Sequence, residues 1–308
     1  MPRLSAIVAL AFCIVAGPAD ADEGAGTRLI LLGTAGGPAV KKSRAQPANA
    51  VVVDGDVYIV DAGDGVSRQM ALAGLSLRDL RAIFLTHHHS DHVADYGTLL
   101  LRAMASGLKE PVASFGPPPL ARMTDAYLDY MRWDVELRVK DEGRPPLADL
   151  VRPHEIAGPG VVYEDDKVRV TAAVVPHGAA EPAYAYRFDT PGSSIVFSGD
   201  TSRSAALIEL AKGADILVHE VLNMDAIDAT VNRTDPGNEA LKRHIIEAHT
   251  PMREVGEVAT EAGVRTLVLS HFVPADIPAF DRPEIWLQGV RETFDGEIVV
   301  GEDLMEIR

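Results

Sequence analysis

The chain is predicted to fold as an α/β protein, an αββα four-layer sandwich in which two sheets pack face to face under outer helices. Three observations predict it. Val/Ile/Leu-rich runs of strand length cluster in each half of the 308 residues, amphipathic helical stretches separate them, and no linker or repeat divides the chain. One domain over residues 22–308 follows.

Leu4–Val15 is an apolar run behind Arg3, and Ala19-Asp20-Ala21 offers small residues at a cleavage site. Residues 1–21 therefore read as a cleaved signal peptide that sends the mature chain to the periplasm or out of the cell, with no stable membrane anchor. Strands are predicted at Leu29–Gly33, Ala50–Val53, Val57–Asp61 and Ala82–Thr86, with Asp54-Gly55 as a hairpin turn. Helices are predicted at Gly65–Ala73, Val93–Ser106 and Pro119–Trp133. The Pro-, Gly- and charge-rich stretch Lys140–Gly160 reads as a long surface connection. The second half repeats the theme, with strands at Val168–Val175, Ala183–Phe188, Ser194–Ser198, Ile216–His219 and Thr266–Ser270. Helices fall at Arg203–Lys212 and Pro251–Ala262, the latter with Thr250 as N-cap and Gly263 as its stop. Segment Asn223–Glu247 mixes turn residues with Met224, Ile227, Leu241 and Ile245; a lid, a dimer contact and a plain surface excursion all fit it.

Composition removes several chemistries. The only cysteine, Cys13, lies inside the expected signal, which excludes thiolate ligands, disulfides and a cysteine nucleophile from the mature chain. A net charge of −16 repels phosphate backbones unless a local basic patch intervenes, and so argues against nucleic acid. The basic run Lys41-Lys42-Ser43-Arg44 reads as a solvated loop.

Chemistry concentrates at His87-His88-His89-Ser90-Asp91-His92, where His87, His89, Asp91 and His92 place four potential metal ligands in six positions at a strand end. Zinc takes neutral imidazole and carboxylate donors and keeps an open position in a catalytic site. The pattern His87-x-His89-x-Asp91-His92 resembles the hallmark of the metallo-β-lactamase superfamily. So do, in the family's order, Asp61-Ala62-Gly63, Pro176-His177-Gly178, Ser198-Gly199-Asp200 and Ser270-His271-Phe272. The resemblance implies the metallo-β-lactamase fold and two Zn²⁺ per chain, with Mn²⁺ or Fe²⁺ as substitutes. It implies His87, His89 and His177 on one ion, Asp91, His92 and His271 on the other, and Asp200 between them. His88 is not a ligand on this reading, and Asp61 is either a bracing residue behind the ligands or a turn residue.

Val218-His219-Glu220, Ala248-His249-Thr250 and Gly263-Val264-Arg265 resemble the ribonuclease Z and arylsulfatase-like branch. That implies His249 as a general acid or anion contact, Glu220 as its partner and Asp91 as a catalytic carboxylate; His219 reads as a buried hydrogen-bonding residue. Two departures count against transfer RNA: His219-Glu220-Val221-Leu222 replaces the branch's His-Glu-Ala-Thr, and no Gly/Lys-rich arm lies between Arg81 and His177. The expectation is therefore an exported hydrolase of a small sulfate or phosphate ester, using a nucleophile shared by two metals, with no nucleic-acid partner. The alternatives are a hydrolase of a lactone, β-lactam or halogenated aromatic, a transfer RNA 3′-end endonuclease, and a metal-free binding module. Oligomeric state stays open between monomer and homodimer.

Overall fold

The computed structural model describes residues 26–308, so the signal peptide expected over residues 1–21 lies outside the described residues. The strands are β1 (Thr27–Gly33), β2 (Ala48–Val53), β3 (Asp56–Val60), β4 (Leu80–Phe84), β5 (Val112–Gly116), β6 (Val151–Glu155), β7 (Gly160–Glu164), β8 (Arg169–Val175), β9 (Ala183–Asp189), β10 (Ser194–Phe197), β11 (Ile216–Leu222), β12 (Thr266–Val273), β13 (Glu297–Val300) and β14 (Met305–Ile307). They form two seven-stranded sheets, ordered β14-β1-β2-β3-β4-β5-β6 and β7-β8-β9-β10-β11-β12-β13. Both sheets read alike along that order. Three antiparallel junctions come first, then three parallel ones. The chain thus builds one pattern twice, and β14 closes the molecule by returning to the first sheet.

The helices are α1 (Val66–Leu72), α2 (Ser90–Val93), α3 (Tyr96–Ala105), α4 (Leu120–Tyr130), α5 (Arg132–Glu142), α6 (Ala205–Ala211), α7 (Ile227–Thr234), α8 (Glu239–Ala248), α9 (Met252–Ala262) and α10 (Pro283–Arg291). Among the described residues none is long and apolar enough to cross a membrane.

Layering follows from period-two alternation in the strands. On β1, Leu29 and Leu31 enter the seam between the sheets with Phe84, Tyr186, Phe188 and Phe197. Their neighbours Ile30 and Leu32 face outward onto Met70, Leu99 and Met104 of the helices that cover the first sheet. On the other side, α6, α9 and α10 bury Leu207, Val255, Val258 and Trp286 against the outer face of the second sheet. These are the four layers the sequence predicts.

Three local expectations need correction. Lys140–Gly160 is not an open connection, because it contains β6 and a buried turn carrying Leu147 and Leu150. Pro153 and three polar neighbours mask β6, but the strand lies at a sheet edge, where a missing N–H costs no ladder bond. The helix predicted over Pro119–Trp133 breaks at Met131 and continues as α5, which buries no residue. Its support is local: Arg138 bonds Asp134 at 2.8 Å and Glu142 at 2.9 Å, one turn either way. Pro251, not Thr250, is the N-cap of α9; the Thr250 hydroxyl donates instead to the Thr201 carbonyl at 2.6 Å.

Candidate metal centre

The site forms where parallel strands end. Asp61 follows β3, the His87–His92 loop follows β4, Asp200 follows β10, Glu220 lies near the end of β11 and His271 near the end of β12. Crevices at the carboxyl ends of parallel strands are where open α/β sheets place ligands. His177 arrives from the end of β8 and His249 from the junction of α8 and α9.

All seven sequence-predicted ligands converge. His87 Nε2 lies 3.0 Å and His177 Nε2 3.1 Å from His89 Nδ1. Donors about 2.0–2.1 Å from a tetrahedral zinc stand roughly 3.3 Å apart, so this triangle is close to the size such an ion needs. A second group is made by Asp91, His92 and His271, whose Nε2 lies 3.5 Å from Asp91 Oδ2. Asp200 Oδ2 is the common neighbour, 3.1 Å from His271, 3.3 Å from His92, 3.8 Å from His177 and 3.9 Å from His87.

In His92 and His177 the outer ring nitrogen is tied down, which turns the inner one toward the centre. The Nδ1–H groups of His92 and His177 donate to Asp61 Oδ2 at 2.8 Å and to the Ala248 carbonyl at 2.9 Å. Asp61 also accepts from the Thr86 amide at 2.8 Å and so braces the metal loop. His88 Nε2 bonds the Pro117 carbonyl at 2.7 Å behind the site. His219 Nδ1 bonds the Glu220 carbonyl at 2.6 Å.

The backbone carries strain here. Asp61 and His271 hold left-handed φ values of 62° and 45°, a cost that persists where the surroundings over-determine it. Gly63 is needed for another reason: a Cβ there would stand 2.3 Å from the Asp91 carbonyl.

Electrostatics fit the donor set to cations. His87, Asp91, His92, His177, Asp200 and His271 are all buried. Yet His92 Nε2, Asp200 Oδ1 and His271 Nε2 have no hydrogen-bond partner. Buried polar atoms left unpaired are costly, and a shared cation satisfies several at once. Burial pushes His87 well down and His177 down to about 4, which favours the neutral imidazoles a metal requires. Burial opposes charge on His92 as well, but the Asp200, Asp61 and Asp91 carboxylates outweigh it and raise that ring well above its ordinary value. For Asp91, burial raises the carboxyl, but His92 and His271 dominate and hold it at about 2. The residues present can therefore hold metal.

Beside the ligands lies the predicted pair. His249 Nδ1 stands 3.3 Å from Glu220 Oε2, both groups buried. Glu220 Oε1 accepts from the Thr250 amide at 2.9 Å and the Thr201 amide at 3.3 Å. Burial works against protonation of His249, but Glu220 overrides it and raises the ring to about 9.

A cavity of about 230 Å³ opens onto the cluster, reached by His89, Asp91, Asp200, His249 and His271. Its roof is α7 and α8, which settle on Leu222 and Val273 through Ile227, Val231 and Ile245, so segment Asn223–Glu247 covers the centre. This roof brings in His244, which the sequence reading does not single out. Its ring centroid is 5.9 Å from that of His89 and 6.1 Å from that of His177. No spacing marks it, since it follows from the docking of α8 alone. His154 is remote from the cluster and stacks on Phe115, ring centroids 4.9 Å apart.

Comparison with known proteins gives three findings. A family profile described as "Beta-lactamase superfamily domain" matches residues 56–272. Ribonuclease Z of Mycolicibacterium paratuberculosis is 35% identical over 284 residues, 90% of this chain and 96% of that protein; ribonuclease Z of Mycobacterium bovis is 33% identical over 91% of this chain and 97% of its own length. The crystal structures of human tRNase Z, short form, and of the metallo-β-lactamase fold protein YhfI from Bacillus subtilis each superpose with a TM-score of 0.64. Both are 20% identical, over 91% of this chain and 98% of theirs.

These relatives overturn two expectations. The exported hydrolase of a small sulfate or phosphate ester, and the exclusion of nucleic acid, both give way to similarity with ribonucleases over nine-tenths of the chain. The reasons are physical. A net charge of −16 is a sum over the whole surface and says nothing of one face. A match across 96% of a ribonuclease also leaves no large segment of that relative unaccounted for, so the missing arm carries little weight.

Proposed function

The chain belongs to the beta-lactamase superfamily and, within it, to the ribonuclease Z branch of hydrolases, and from that premise we propose that it is a zinc-dependent endonuclease cutting a phosphodiester bond at the 3′ end of precursor transfer RNA. The observation that carries this reading is the 35% identity to a ribonuclease Z across 90% of the chain.

Two Zn²⁺ would be held by His87, His89 and His177 and by Asp91, His92 and His271, with Asp200 between. When bound they would supply an activated oxygen nucleophile at neutral pH and neutralise charge on the phosphate. The chain's own residues do the rest. Asp91, ionised and held low, orients the attacking water by accepting a hydrogen bond from it. His249, kept protonated by Glu220, donates to the oxygen that departs. Thr201 and Thr250 fix Glu220 through their backbone amides and so fix the ring it orients. The α7–α8 roof limits access of bulk water to the cluster.

The test is incubation of the zinc-loaded protein with a precursor transfer RNA carrying a 3′ trailer. A single cut that releases the trailer, abolished by chelation and restored by zinc, is expected. Zinc-replete protein that leaves the precursor intact refutes the reading.

A further inference from the structure

We infer that a cationic track on the first helical layer, running from Lys41 through Arg68 and Arg102 to Arg78, binds the RNA phosphate backbone away from the cut site. The inference rests on the ribonuclease reading above and adds to it the surface that holds the body of the substrate.

The track is built from three hollows that share walls. Lys41 lines the metal cavity and also a neighbouring hollow of about 200 Å³. Gly65 and Arg68 line that second hollow and also a third, of about 490 Å³, whose far wall holds Arg102 and Ser106. Arg78 Nε then donates to the Ser106 carbonyl at 2.7 Å. Beside it Arg144 converges on the same spot, since a Cβ on Gly107 would stand 3.4 Å from a guanidinium nitrogen of each, but Arg144 is paired with Glu142 at 3.3 Å and is no part of the track. A continuous surface groove therefore leads from the metals across α1 and α3.

Its charge is unusual for this chain. Acidic residues number 45 against 29 Lys and Arg, and elsewhere Arg81, Arg138, Arg203 and Arg253 each meet a carboxylate. Among the described residues Lys41, Arg68 and Arg102 form no ion pair, and Arg78 spends its Nε on a carbonyl. Arg68 and Arg102 are exposed, while burial and the nearby Arg233 lower the half-buried Lys41 ammonium. Beyond Asp91 and Asp200 of the metal cavity, two carboxylates border the groove. Asp95 is committed to the Gly65 amide at 2.7 Å, and Asp64 is exposed. Arg44 also lines the second hollow, but its guanidinium is committed to the protein and pairs with Asp281 at 3.5 Å. It bonds Thr34 and Gly301 at 2.8 and 2.9 Å and lies 4.2 Å over the Phe272 ring.

An RNA body needs such a surface. Phosphate contacts position a nucleic acid without reading its sequence, and they must outweigh the repulsion of an acidic protein. Cations left unpaired in series, beginning at the mouth of the reaction site, meet that need.

The test uses the zinc-loaded full chain and a trailer-bearing precursor transfer RNA, with KM measured from about 50 to 300 mM KCl, a range over which phosphate contacts weaken measurably. Wild type is compared with Arg68→Gln/Arg102→Gln, with Arg68→Glu/Arg102→Glu and with Arg253→Gln on the opposite helical layer. Zinc content and thermal unfolding establish that each variant folds. The double glutamine variant is expected to flatten log KM against log[KCl] by about 2, roughly one per phosphate contact. The glutamate variant is expected to raise KM further, and Arg253→Gln to keep the wild-type slope. Unchanged slopes in both double variants, or an equal loss with Arg253→Gln, overturn the track while leaving the ribonuclease reading in place. A wild-type protein that cuts no precursor overturns that reading and the track together.

Discussion

Replacing Asp61 by asparagine should disable metal binding without emptying the site of a single ligand. In the wild type the Asp61 carboxylate accepts from the Thr86 amide at 2.8 Å, from the Thr86 hydroxyl at 3.0 Å, and from His92 Nδ1–H at 2.8 Å. A carboxylate accepts on both oxygens, whereas an asparagine accepts on one and donates from the other. With its oxygen kept on the Thr86 amide, the new NH₂ faces His92 Nδ1–H, donor against donor. When zinc displaces the Nε2 proton, the remaining proton must either stay on Nδ1 against that NH₂ or occupy Nε2, the atom 3.3 Å from Asp200 Oδ2 that must offer a lone pair to metal. Losing such an orienting carboxylate typically costs 10–100-fold in metal affinity, or about 1.4–2.7 kcal/mol. The assay is zinc competition against a fluorescent chelator on metal-free Asp61→Asn, with thermal unfolding as the control for folding. An affinity within about twofold of wild type refutes the reasoning, because the proton on Nε2 would then cost nothing.

Further expectations follow from the same geometry. His249→Ala should lower kcat on precursor RNA by roughly 10²–10⁴ with zinc content unchanged; loss of zinc along with rate would make His249 a ligand instead of a proton donor. Glu220 holds the His249 ring protonated up to about 9 in the metal-free protein, and bound cations lower that figure. The active form is the protonated one, so rate falls as pH rises through the His249 value. Glu220→Gln should move that alkaline limb to lower pH, and a pH–rate profile that does not move contradicts the pairing. Zinc binding near pH 7 should release a proton from His92, whose ring the carboxylates keep charged; calorimetric heats independent of buffer ionisation would count against it. Gly63→Ala should lower stability by about 1–3 kcal/mol, read as a drop in the denaturant midpoint, because its Cβ meets a backbone carbonyl that cannot give way.

What the sequence made legible tracks how local the cause is. The seven candidate ligands could be read because each lies inside or within eight residues of the end of a Val/Ile/Leu-rich strand, where alternation and turn residues announce themselves. The Asp61 role stayed open between bracing and turn, because a donor 31 positions away in the chain decides it. His244 left no trace, since nothing in Glu239–Ala248 says which face of α8 will meet His89; that depends on Ile245 and Leu241 settling over Leu222 and Val273. Edge strand β6 and helix α5 were hidden for the opposite reason. Neither buries an apolar face that a periodicity argument can find, so neighbours and i,i+4 pairs hold them in place. The error about nucleic acid has the same root. Net charge is a sum that discards position, and phosphate recognition depends on position alone: Lys41, Arg68 and Arg102 stand 27 and 34 residues apart in the chain and share one groove only after α1 and α3 pack on the same sheet.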